Sequence, residues 1–228
     1  MERIRAITLD LDDTLWPVWP AIDRAEVVLQ AWLADHAPAT HALYAEPGAL
    51  RAVRNRMNTE RPDLAYDLSA LRRESIRVAL QQAGDNPALA EPAFEVFFAE
   101  RQRVELFEGV ASALEFLAAR YPVLALTNGN ADVHRIGIGQ YFCGSVHALQ
   151  AGVAKPDVRM FQLAAQTLQL PVEAVLHVGD DAVLDVQGAR RAGMQAVWVN
   201  TAAQAWSCPN EPLPVTVPGL PQLCSLLV

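Results

Sequence analysis

The chain has 228 residues, enough for one or two domains with a buried core. Hydrophobic residues make up 52% and charged residues 19%, a globular balance, and 26 acidic against 18 basic residues leave a net charge of −8, which argues against nucleic acid and anionic membrane as partners. Three scattered cysteines, Cys143, Cys208 and Cys224, fit neither a disulfide framework nor a zinc ribbon, so the expected location is the cytoplasm.

The opening residues, Met1 to Leu11, carry Glu2 and Asp10 where a secretory signal needs an unbroken apolar run. Arg5–Leu11 reads as a short parallel strand buried on both faces. From Pro17 to Leu106 no convincing strand follows. Amphipathic stretches at Ala21–Ala34, Gly48–Met57, Leu68–Ala83 and Pro92–Arg103, separated by turn-rich spacers, predict a small helical domain over residues 17–106, inserted after the first strand. Beyond it, Val110, Ala113, Leu114, Leu117 and Ala118 recur at helical spacing, and Val123–Thr127 reads as a second strand. Lys155-Pro156-Asp157 is expected to open a helix with Pro156 at its first position, continued by Phe161, Ala164, Ala165 and Leu168. Strands at Ala174–Val178 and Ala196–Asn200 follow, then a proline-rich tail and a short closing helix at Leu220–Leu227. Two stretches free of charge, Ile136–Ala154 and Ala192–Asn210, hold too many glycines and polar side chains to span a membrane. Strands alternating with helices predict an α/β fold, a doubly wound parallel sheet built from residues 1–16 and 107–228.

Polar clusters stand directly after three of the strands: Asp10, Asp12 and Asp13; Thr127 and Asn128; Gly179, Asp180 and Asp181. In an open parallel sheet the carboxyl ends of the strands form the ligand crevice, so residues far apart in sequence are expected to meet there. Lys155 joins them, and it is the single lysine among the 18 basic residues. A compact ammonium suits a point contact in a small pocket better than a planar guanidinium. Two carboxylates about 4 Å apart repel by roughly 4 kcal/mol at an effective dielectric near 20, and Asp10, Asp12 and Asp180 make up to three such pairs. One lysine and one divalent cation match three negative charges, and ligation by oxygen alone favours Mg²⁺ over zinc.

The run DLDDT (Asp10–Thr14) fits the DxDx[TV] signature of the haloacid dehalogenase-like hydrolases. TNGN (Thr127–Asn130), Lys155 before Pro156, and GDDAVLD (Gly179–Asp185) resemble the family's other three motifs in the same order. The resemblance implies a Rossmann-like core with a helical cap and a reaction through an aspartyl-phosphate. On it, Asp10 is the nucleophile, Asp12 the general acid and base, and Thr127, the Asn128 backbone and Gly129 hold the transferring group. Lys155 stabilises its charge, Asp10, the Asp12 carbonyl and Asp180 ligate Mg²⁺, and Asp181 and Asp185 lie outside the ligands. The dehalogenases that the chain resembles lack a carboxylate at the position of Asp12 and need no metal, so a phosphatase acting on a small phosphorylated metabolite is the expectation. Within the family, LRRESIRVALQQAG (Leu71–Gly84), LTNGNA (Leu126–Ala131) and Leu176–Asn200 resemble a bacterial flavin-biosynthesis branch. That branch hydrolyses 5-amino-6-(5-phosphoribitylamino)uracil and FMN.

Plainer readings stand beside these. An aspartate cluster after a strand also caps helices, and GDD alone is more often a turn. Arg54, Arg72 and Arg73 read either as a contact for a substrate's polar end or as a solvated helix face; Trp16 and Trp19 read as a stacking surface or as packing. The five histidines receive no role. A phosphotransferase or mutase shares all four motifs, and a receiver-like phosphoacceptor module combines similar residues. A monomer or a homodimer is equally compatible with the sequence.

Overall fold

The structure, a computed structural model, describes residues 4–227. Glu2 and the other two opening residues of the expected core segment 1–16, and Val228 at the end of 107–228, lie outside the described residues. The chain forms two compact units, one running to Pro17 and resuming at Glu105, the other spanning Val18–Val104.

The first unit is built on six parallel strands: β1 (Ala6–Leu9), β2 (Val123–Thr127), β3 (Gly144–His147), β4 (Val175–Gly179), β5 (Gln195–Val199) and β6 (Val215–Val217). Their order is β3-β2-β1-β4-β5-β6, so the chain builds outward from β1 on one side and then returns to build on the other. That reversal opens a crevice at the carboxyl ends of the central strands. β1, β2 and β4 are buried along their whole length, which is why they read as short apolar runs. Helix Val158–Thr167 buries Met160, Phe161, Ala164 and Ala165 in one cluster with Leu124, Leu126, Val146 and Val175. Each such large side chain contributes about 1.5–3 kcal/mol on leaving water.

Sequence periodicity missed the edges. β3 has one fully buried residue of four and β6 one of three, too little for an apolar run to signal either. Pro156 does not open a helix as expected: helix Val158–Thr167 is capped by Asp157, whose carboxylate accepts from the Arg159 N–H, and Pro156 stands one residue before the cap. An aspartate with extended backbone is a stronger N-cap than its neighbours, and it takes the boundary.

The second unit holds helices Val18–His36, Pro38–Leu43, Ala49–Glu60, Leu68–Ala83 and Ala90–Arg101, with no strand. Its core joins Ala25, Leu29 and Leu33 to Ile76, Ala79, Leu80, Phe94 and Phe97. Arg72 is buried over the Phe97 ring and Arg73 pairs with Glu91, so neither is a freely solvated face. Trp19 is exposed, with the Arg51 guanidinium over its ring. Among the described residues no helix is long and apolar enough to cross a membrane.

Candidate active site

β1 delivers Asp10 to the sheet rim, where its backbone N–H still bonds to Val178 of β4 at 2.9 Å. The chain then turns back sharply. Asp13 takes a left-handed conformation, φ 59°, and donates its N–H to the Trp16 carbonyl. That turn returns the buried Trp16 towards Asp12, whose Oδ1 accepts from the indole N–H at 2.9 Å. Trp16 is therefore packed, as its plainer reading held, and also polar in its contact. Thr14 lies 3.2 Å from Asp10 Oδ2 and 3.1 Å from Asp180 Oδ1, its one proton shared between two carboxylates from different strands.

Lys155, 4% exposed, enters the same cluster. Its Nζ donates to Asp10 Oδ1 at 2.5 Å and to Asp185 Oδ1 at 2.6 Å. The Asn128 side chain braces it from behind: the amide donates to the Lys155 carbonyl at 3.0 Å, and its oxygen accepts the Lys155 N–H at 2.7 Å. The Gly129 N–H donates to Thr127 Oγ1 at 2.9 Å. With that lone pair taken, the Thr127 hydroxyl keeps its own proton to give.

β4 ends in Gly179, where a Cβ would stand 2.3 Å from the Asp185 carboxyl carbon, so glycine alone lets that carboxylate close on the strand end. Asp181 caps the turn Ala182–Gln187, accepting from the Val183 and Leu184 N–H groups at 2.8 Å, while its own N–H goes to Asp185 Oδ2 at 2.9 Å. Asp181 thus faces its own helix start. Asp185 faces inward, fully engaged by Lys155, by His177 at 3.0 Å and by the Asp181 N–H. Trp198 of β5 fixes the Asp180 carbonyl with a 2.7 Å bond from its indole nitrogen.

The electrostatics follow from three carboxylates sharing one ammonium. Burial, against the pull of Lys155 and reinforced by Asp185 and Asp180, holds the Asp10 pKa well above the usual carboxylate range. Burial and then the Asp185 charge push Asp180 up to about 7. Asp185 goes the other way: burial alone would raise it, but Lys155 and His177 hold it well below the ordinary value. Burial alone would lower Lys155, and the paired Asp10 and Asp185 keep it above its normal value. Carboxyl oxygens of Asp10, Asp180 and Asp185 lie within 4.8 Å of one another, a hard-oxygen set short of positive charge. Those residues fit a small divalent cation, with the Asp185 oxygens already committed to protein donors.

A buried carboxylate paired with a lysine thus stands at the rim of a doubly wound sheet, the place where such folds hold their ligands. The haloacid dehalogenase-like hydrolase family model matches residues 4–193. The chain is 36% identical over 201 residues to 5-amino-6-(5-phospho-D-ribitylamino)uracil phosphatase YigB of Escherichia coli strain K12, covering 86% of this chain and 84% of that protein. It is 32% identical over 222 residues to a phosphoserine phosphatase of Thermus thermophilus, covering 86% and 89%. A crystal structure of a 2-haloacid dehalogenase from Pseudomonas syringae pv. Tomato DC3000 superposes with a TM-score of 0.88 at 38% identity, covering 98% of both chains. The chain belongs to the haloacid dehalogenase-like hydrolases and is an enzyme.

Proposed function

We propose that this enzyme is a Mg²⁺-dependent phosphatase that moves the phosphoryl group of a small phosphorylated metabolite onto Asp10 and then to water, with the helical segment 17–106 as the cap that selects the leaving group, acting in the cytoplasm. The observation that carries the reading is Asp10 held by Lys155 at 2.5 Å with a second carboxylate, Asp12, two residues further on. A halide departs without a proton, whereas the alkoxide of a phosphomonoester needs one. Asp12 supplies it, which favours phosphatase over the activity named for the P. syringae structure.

In the first step an Asp10 carboxylate oxygen attacks phosphorus, the ester P–O bond breaks, and Asp12 protonates the departing oxygen. The Trp16 indole N–H donates to Asp12 Oδ1 and so orients the carboxyl group for this transfer. In the second step Asp12, now a carboxylate, takes a proton from water as that water attacks phosphorus; the bond to Asp10 breaks and phosphate leaves. Lys155 and the Thr127 hydroxyl stabilise the transferring oxygens. Held by Asp10, the Asp12 carbonyl and Asp180, Mg²⁺ would supply two positive charges where Asp10 and Asp180 are crowded.

The substrate class follows the more identical of the two phosphatase relatives, 36% against 32%: a ribityl phosphate carrying a pyrimidine. FMN joins it through the resemblance to the flavin-biosynthesis branch. Phosphoserine is the competing substrate.

The test is p-nitrophenyl phosphate, then these metabolites, with and without EDTA. We expect multiple turnovers that stop with EDTA and resume with Mg²⁺. Because burial pushes Asp180 up to about 7 and holds Asp10 above the usual carboxylate range, protons compete with the ion, and its affinity is expected to fall at least about tenfold between pH 8 and pH 6. Metal-independent turnover, chloride release from 2-chloropropionate, or labelling by one equivalent without release contradicts the reading.

A further inference from the structure

The buried polar groups do not end at the carboxylates. Thr8 of β1 and His177 of β4 are both 0% exposed within otherwise apolar strands, and the strand register sets them side by side. Thr8 Oγ1 lies 2.8 Å from His177 Nδ1, and His177 Nε2 lies 3.0 Å from Asp185 Oδ1. An ionised carboxylate only accepts, so Nε2 carries a proton, and in the neutral imidazole Nδ1 then accepts from the Thr8 hydroxyl. Phe161 meets the ring edge-on at 5.1 Å and fixes its plane. Asp185 Oδ1 therefore takes two donors, His177 and Lys155, and Oδ2 takes the Asp181 N–H. The hydrogen bonds run unbroken from Thr8 through His177, Asp185 and Lys155 to Asp10.

We propose that His177, oriented by Thr8, is a positioning residue that holds Asp185 in the orientation that keeps the Lys155 ammonium against Asp10. It touches no reacting atom. A histidine that merely filled the core would cost stability when replaced and leave the ammonium in place. A positioning histidine moves the ammonium, and displacement of a catalytic group by about 1 Å costs up to ~100-fold in rate. The inference rests on Asp10 being the nucleophile, so its test needs a readout that does not require turnover.

The sequence supplies one: Lys155 is its only lysine, so protein grown on [13C,15N]-lysine gives a single side-chain ammonium signal by NMR. His177→Leu removes the donor, and His177→Gln keeps an N–H at similar reach. In His177→Leu we expect the ammonium signal to shift or broaden by exchange, with kcat on p-nitrophenyl phosphate about 10–100-fold lower and KM within about threefold. His177→Gln is expected to recover both. A folded His177→Leu protein with the wild-type signal and kcat within about twofold overturns the proposal, as does a loss that His177→Gln fails to recover. If His177→Leu does not fold, Thr8→Val decides: a shifted signal with lowered kcat supports the relay, and an unchanged signal with unchanged kcat overturns it. A wild-type protein that hydrolyses no phosphoester defeats the proposed function, while the lysine signal still reads the relay.

Discussion

Asp10→Asn is expected to fold, to melt no lower than the wild type in the absence of metal, and to turn over at least 10⁴-fold more slowly, a barrier increase above about 5 kcal/mol. The amide has no anionic oxygen to attack phosphorus, and its shape fits the same space. The stability side follows from the sign of the pKa shift. Burial and the neighbouring carboxylates hold Asp10 above the usual range, so the folded metal-free protein binds a proton that the unfolded chain releases. That group's stabilising contribution is present at low pH and lost as pH rises through the folded value. Asparagine removes the loss, and the variant's advantage over the wild type is expected near pH 8 and absent near pH 4. Steady-state phosphate release with matched thermal melts checks both. A rate above about a hundredth of the wild type would defeat covalent catalysis at this residue.

Lys155 carries the second large effect. Lys155→Met leaves Asp10 and Asp185 buried with no cation between them, and breaking such a pair costs about 3–5 kcal/mol. Without the lysine, burial dominates both carboxyl groups and raises their pKa values, so the folded variant gains protons and stability as pH falls. The destabilisation is expected to be largest near pH 8 and smaller near pH 5, by urea denaturation at both. Lys155→Arg keeps the charge but not the size. The ammonium sits between two oxygens at 2.5 and 2.6 Å, where a planar guanidinium is too wide. Its rate is expected below a tenth of the wild type, at least about 1.4 kcal/mol; retention above that would contradict the fit.

The three polar clusters and the central strands were legible because each buried strand is a short apolar run that stops at the residues of the site. Lys155 was legible from composition alone, as one lysine among arginines. The side-chain partners were less so. Asn128 was expected to act through its backbone, but whether an amide points at a ligand or at the next loop depends on where Lys155 arrives, 27 residues later. Asp181 and Asp185 read alike in sequence; the tight approach at Gly179 draws one inward, and the free N–H groups of a helix start hold the other outward. His177 had a signal that went unused: a polar residue inside a wholly buried strand, two positions before the glycine that ends it. Its partner Thr8 becomes visible only once the register of β1 against β4 is known. The edge strands escaped because exposure removes the hydrophobic pattern that periodicity detects.

The most direct measurement is to quench the enzyme during turnover of p-nitrophenyl phosphate, reduce it with borodeuteride, and sequence the peptide containing residues 6–16 by mass spectrometry. An acyl phosphate at Asp10 is reduced to homoserine, so a deuterated homoserine at position 10, formed only with substrate and Mg²⁺, is the result expected. Turnover with position 10 left as aspartate, or the label found at Asp12 or Asp180, would contradict the assignment of Asp10 as the residue that carries the phosphoryl group.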